Sequence, residues 1–145
     1  MIMLRLDPTL NEVEFDDEQL VGEWAKVLPE VLRSPQIAPW CCYAARLDGR
    51  LVGLGAFKGS PDGGEVELSY LVLIPERNRG YANAICERLI SIAQAEGVNS
   101  IVAHTQPEEN ASTAVLRRNE FMFRQAIEDP EDGPIWRWLR KIAAS

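Results

Sequence analysis

The chain has 145 residues, 46% of them hydrophobic and 26% charged, and carries a net charge of −7. That length suits one soluble domain with a real core, so a single domain over residues 1–145 is expected. The acidic balance excludes a general nucleic-acid binder, which needs a basic footprint, and no apolar run reaches the roughly 20 residues of a membrane-spanning helix.

Met1 to Asp7 reads as a short strand stopped by Pro8. From Asp16 to Ser34 the apolar residues Leu20, Val21, Trp24, Val27, Leu28, Val31 and Leu32 keep a helical rhythm, with a kink or break expected at Pro29. Pro35 and Pro39 mark a loop. Trp40 to Leu47 and Arg50 to Phe57 read as strands joined by an Asp48-Gly49 hairpin turn. After the turn Pro61-Asp62-Gly63-Gly64, a third strand runs from Glu65 to Ile74.

A helix follows from about Gly80, with Ala82, Ile85, Cys86, Leu89, Ile90 and Ala93 on its apolar face and Gly97 as its stop. Val98 to Thr105 is a strand, and Asn110 to Asn119 a short helix with Ala111, Ala114 and Val115 inward. Phe121 to Ile127 and Ile135 to Ile142 close the chain as strands around an acidic loop at 129–134. Phe121 and Phe123 are in phase, as are Trp136 and Trp138. The order β, α, β, β, β, α, β, α, β, β predicts a mixed α/β layer fold.

The most informative stretch is Arg77-Asn78-Arg79-Gly80-Tyr81-Ala82, between a strand and a helix. A helix start leaves about four backbone N–H groups without intrahelical partners and carries the positive end of the dipole. Gly80 lets backbone approach a ligand, and Arg77 and Arg79 add charge. This predicts a seat for a phosphate or diphosphate.

The start of the chain has neither the basic lead nor the apolar stretch of a signal peptide, so a cytoplasmic location is expected. Three cysteines make no disulfide framework, and with no C-x-x-C and one histidine, His104, no metal site is expected. Cys41 and Cys42, adjacent on a strand, should face opposite sides of the sheet. A Cys–His catalytic pair is a minor alternative.

Arg77, Gly80 and Ala82 match the acyl-CoA signature of the Gcn5-related N-acetyltransferases: Gln or Arg, two residues, Gly, one residue, Gly or Ala. Pro107, Ser112, Val115, Leu116 and Phe121 resemble a segment of the ribosomal-protein-acetyltransferase-like branch, and Glu67-Leu68-Ser69-Tyr70 resembles the start of its central strand. Three positions depart from the pattern. Glu109 holds the usual asparagine seat with Asn110 one place late, Glu120 replaces a glycine, and Pro75 falls one place late.

The resemblance implies a mostly antiparallel central sheet with splayed central strands flanked by helices. It implies an acetyl-CoA-dependent N-acetyltransferase acting on a primary amine of a small molecule or peptide. Leu71, Val72 and Leu73 would present backbone to pantetheine, and Arg77, Asn78, Arg79, Gly80, Tyr81 and Ala82 would hold the diphosphate, with Asn110 and Ser112 along the cofactor arm.

Glu67, on one strand face with Glu65 and Ser69, is the first candidate base. His104 is second, since imidazole titrates near neutrality. Tyr70 and Ser112 are the hydroxyls at matched positions that could protonate a leaving thiolate; Ser112 also reads as a helix cap. Trp40, before its strand, reads as core or as lining for an acceptor pocket. Two other readings stay open: a CoA-binding module without catalysis, and a structural interaction domain. Pairing of two copies is expected on general frequency alone.

Overall fold

The computed structural model describes residues 4–8 and 37–142. The helix expected between Asp16 and Ser34, with Trp24 and Pro29, lies outside the described residues. Among the described residues seven strands form one sheet: β1 (Arg5–Asp7), β2 (Cys42–Leu47), β3 (Arg50–Phe57), β4 (Glu65–Val72), β5 (Ser100–Thr105), β6 (Met122–Asp129) and β7 (Gly133–Lys141). Helices α1 (Tyr81–Ala95) and α2 (Ala111–Arg118) connect the later strands. The spatial order is β1-β2-β3-β4-β5-β7-β6, with β4 and β5 parallel and every other pair antiparallel.

The turns explain the strand boundaries. Asp48 (φ 52°) and Gly49 (φ 81°) both take left-handed backbone, the type I′ pattern that matches hairpin twist. The strand expected to reach Ile74 stops at Val72, because Ile74–Glu76 winds into a 3₁₀ turn around Pro75.

Tyr81, Ile85, Cys86, Leu89, Ile90 and Ala93 of α1 are buried against the sheet. The close approach needs Gly55, where a Cβ would stand 2.7 Å from the Ile85 side chain. Gly55 pairs with Tyr70, so Val66, Leu68, Tyr70 and Val72 face α1, while Glu65, Glu67, Ser69 and Leu71 face the other side. Cys41, just before β2, and Cys42, its first residue, join separate apolar clusters. Trp40 packs edge-on against Phe57 at 5.0 Å and belongs with the core. At the sheet's far end Trp138 is fully buried and donates its indole N–H to Thr105 Oγ1 at 2.9 Å; Trp136 and Phe123 pack beside it.

The inward face of α2 differs from expectation. Thr113 and Leu116 are buried, Val115 is half-buried, and Ala111 and Ala114 are exposed. Thr113 tolerates burial because its hydroxyl is satisfied: it accepts from Asn110 N–H (2.9 Å) and lies 2.9 Å from Glu109. Asn110, rather than Ser112, caps the helix, accepting from Thr113 N–H at 3.1 Å.

The end of α2 stores strain. The bonds from Phe121 N–H to Leu116 O (2.9 Å) and Glu120 N–H to Arg117 O (3.1 Å) form a Schellman closure, which puts Glu120 at φ 67° where glycine is usual. Glu120→Gly is therefore expected to stabilise the fold by about 1 kcal/mol. The lost pair with Arg140 (3.3 Å) weighs little, since the Glu120 side chain is 79% exposed. Urea unfolding measures this, and an unmoved or lower midpoint would show that Glu120 bears no strain.

Candidate active site

The β4–β5 ladder runs from Glu65↔Ser100 to Glu67↔Val102 and then opens. Both strands continue, to Val72 and Thr105, so a gap lies between them. On the other edge β4 stays paired with β3 through Gly53↔Val72. Lys58 N–H bonds Glu67 O (2.8 Å) and Leu73 N–H bonds Val52 O (2.9 Å), which fixes the alternation. Leu71 and Leu73 turn their backbone groups to β3; Tyr70 and Val72 turn theirs to the gap. Of the three residues expected to offer backbone there, Val72 does so. Leu73 is buried in the apolar cluster on the sheet's second face.

A groove of about 550 Å³ opens beside the gap. It runs from Tyr70, Leu71 and Val72 to the start of α1, with α2 as its second wall. It gathers most of the residues proposed for a cofactor: Arg77, Asn78, Gly80, Tyr81, Ala82, Asn110 and Ser112 join Leu71 and Val72. Gly80 caps α1 at φ 81° without a side-chain bond, and the first intrahelical bond is Ala84 N–H to Gly80 O at 3.2 Å. The amides before Ala84 are thus the orphan donors of a helix start, directed at the groove.

The arginines divide their work. Arg77 Nε donates to Val72 O at 3.0 Å, tying the turn to the strand end. Arg79 lies 3.5 Å from Glu76, which Arg50 also holds at 3.1 Å, and it is absent from the groove wall. Its charge is turned toward Glu76. Glu76, Asn83, Ala111, Val115 and Arg118 also line the groove, though the sequence reading did not name them as site residues. The i, i+3, i+6 spacing of Ser112, Val115 and Arg118 was the available signal for the α2 wall.

Tyr70 reaches across to α2, its hydroxyl 3.3 Å from Ser112 O and 3.4 Å from Ser112 Oγ. Burial pushes its phenol well above the ordinary range, against a smaller downward pull from Ser112, so it stays protonated near neutral pH. Glu67 and His104 do not line the groove; they meet on the opposite side of the sheet. His104 Nδ1 lies 3.0 Å and Lys58 Nζ 3.1 Å from the same Glu67 oxygen. Burial raises the Glu67 carboxyl, but the His104 hydrogen bond and the Lys58 charge outweigh it and hold the group below its usual range. Glu65 stands nearby, paired with Arg137 at 2.9 Å. Asp129 feels the His104 and Lys58 charges more weakly than its own bonds from the Asp132 and Glu131 amides.

The cysteines offer no nucleophile. All three are buried, and desolvation pushes Cys42 and Cys86 up to about 12, so neither is a thiolate at neutral pH. Among the described residues no cluster of three His, Cys, Asp or Glu side chains gathers to hold a metal, and no helix is long and apolar enough to cross a membrane.

A sheet that parts between parallel neighbours, above a groove ending at a glycine-capped helix start, has the architecture of the acetyltransferases. The chain belongs to the acetyltransferase (GNAT) family, whose model matches residues 8–121. Its fold is similar to that of RimL, the ribosomal L7/L12 alpha-N-protein acetyltransferase solved with coenzyme A: TM-score 0.75 at 16% identity, covering 96% of this chain and 94% of RimL. An acetyltransferase from Bacillus subtilis in complex with CoA aligns with TM-score 0.67 and 14% identity over 97% of this chain and 98% of its own. The yncA protein of Salmonella typhimurium, solved with acetyl-CoA, gives TM-score 0.62 and 20% identity over 72% of this chain. The chain covers only 65% of yncA and 66% of an N-acetyltransferase from Staphylococcus aureus Mu50. At these identities the likeness is one of fold. No curated protein sequence matches the chain.

Proposed function

We propose that the protein is an acetyl-CoA-dependent N-acetyltransferase whose acceptor is a primary amine of a small molecule or peptide. The observation that carries this reading is the groove itself: a parted strand pair leads without interruption to the amides at Gly80–Ala82. Complexes with CoA or acetyl-CoA among proteins of this fold support the same ligand.

The diphosphate sits on the α1 amides, and the pantetheine arm lies along β4 with Tyr70 and Val72 backbone facing it. The acceptor approaches from the Glu67 and His104 side of the sheet. Its nitrogen attacks the thioester carbonyl carbon; a C–N bond forms and the C–S bond breaks. The Val72 amide, turned to the gap, meets the charge growing on the carbonyl oxygen. The amine's proton passes to His104, which Glu67 orients through the 3.0 Å bond to Nδ1. Glu67 is the weaker base, because Lys58 and His104 favour its ionised form. The sulfur takes its proton from Tyr70, which solvent then reloads.

Incubation with acetyl-CoA and a panel of amines, read by thermal shift and free thiol, tests the reading. A shift with amine-dependent thiol release is expected. A shift without thiol across peptide N-termini, lysines and polyamines would instead favour a cofactor-binding module, and no shift at all would remove the cofactor.

A further inference from the structure

We propose that Arg118 binds the 3′-phosphate of coenzyme A and so makes the protein select CoA over dephospho-CoA. The proposal rests on the groove being a CoA site and adds a specificity residue to it.

Position is the first ground. Ser112, Val115 and Arg118 form one stripe of α2 along the groove. Ser112 lies beside Tyr70, at the end where the strands part. Arg118 is six residues further on, about 9 Å along the helix at the standard rise. There α2 meets the first turn of α1, because Asn119 Nδ2 donates to Asn83 Oδ1 at 2.9 Å. Arg118 therefore stands at the end of the groove where the α1 amides point, away from the gap. In coenzyme A the ribose 3′-phosphate lies on the far side of the diphosphate from the thioester. A ligand with its thioester at the gap and its diphosphate on α1 brings that group toward Arg118.

Charge is the second ground. Arg77 is tied to Val72 O, and Arg79 is drawn to Glu76. No hydrogen bond or ion pair among the described residues engages the Arg118 side chain, though it lines the groove. The chain carries −7 overall, and Glu76 lies in the same groove. A phosphomonoester, close to −2 at neutral pH, needs a dedicated cation here, and a guanidinium meets phosphate with paired donors.

Calorimetric titration of wild type and Arg118→Gln with CoA and with dephospho-CoA tests this. Wild type is expected to bind CoA about tenfold or more tightly than dephospho-CoA, and the variant to bind both at the dephospho-CoA level. Arg118→Lys should recover part of the preference. Two results would overturn the proposal: equal wild-type affinity for the two ligands, or an equal loss for both in Arg118→Gln, which would move the contact to the diphosphate. If wild type binds neither ligand, the CoA reading of the groove falls as well. Unliganded melting temperatures show whether the variants fold, and the exposed position of Arg118 predicts that they do.

Discussion

Gly80→Asp is expected to weaken CoA binding by about a hundredfold or more, with the fold intact. Gly80 sits at φ 81°, a conformation that aspartate adopts more readily than most residues. Its carboxylate at the N-cap would take the α1 amides for itself, as aspartate does at many helix starts. The backbone strain of a Cβ at that φ costs about 1 kcal/mol, which leaves the fold intact. The ligand loses its donors and meets a negative charge in their place. Gly80→Ala separates the two effects: it adds the Cβ and the backbone strain without the charge, and its affinity should fall between wild type and the aspartate variant. Calorimetry gives the affinities and urea unfolding the stabilities. Unchanged affinity in Gly80→Asp would mean the anion sits elsewhere.

His104→Gln is expected to lower kcat by about 10²- to 10³-fold while the KM for acetyl-CoA holds, because His104 lies outside the cofactor groove. Glutamine keeps a donor toward Glu67 but cannot take a proton. Glu67→Gln should cost less, since it frees the imidazole from its partner without removing it. If His104→Gln kept full turnover and Glu67→Gln lost it, the proton would go to the carboxylate and the order of the two residues would reverse.

Much of the fold was legible because the chain marks its own turns. Asp48-Gly49 and Gly97 fix β3 and α1 through backbone that residues with a Cβ rarely adopt. Gly97 closes a Schellman motif with Val98 N–H to Ala93 O at 3.4 Å. The apolar rhythm of α1 was also clear, with Tyr81 buried where Ala82 was expected and Ala82 left on the groove wall. The inward face of α2 was hidden because a hydroxyl-bearing residue, Thr113, takes a core position once Asn110 and Glu109 satisfy it. Hydropathy has no way to register that satisfaction.

The site divides in the same way. The proposed diphosphate seat is a local feature, six residues between a strand and a helix, so its residues stand together in the sequence as they do along the groove. Leu71 and Leu73 turn their backbone groups to β3 and only Val72 of the three turns to the gap, which the ladder shows and the sequence does not. Arg79 pairs with Glu76, which Arg50 holds from another element, and no local pattern shows that arrangement. Asn83 and Arg118 come together from two helices more than thirty residues apart, so no local pattern announces them. The meeting of Glu67, His104 and Lys58 depends on the register of three strands.

Backbone amide shifts followed by NMR through a titration with coenzyme A test most directly whether main-chain donors grip the cofactor. The largest changes are expected at Asn78 to Ala82, with a second set at Tyr70 and Val72 along the open edge of β4. Saturable binding that leaves those amides unmoved, with its largest changes elsewhere on the sheet, would contradict the account.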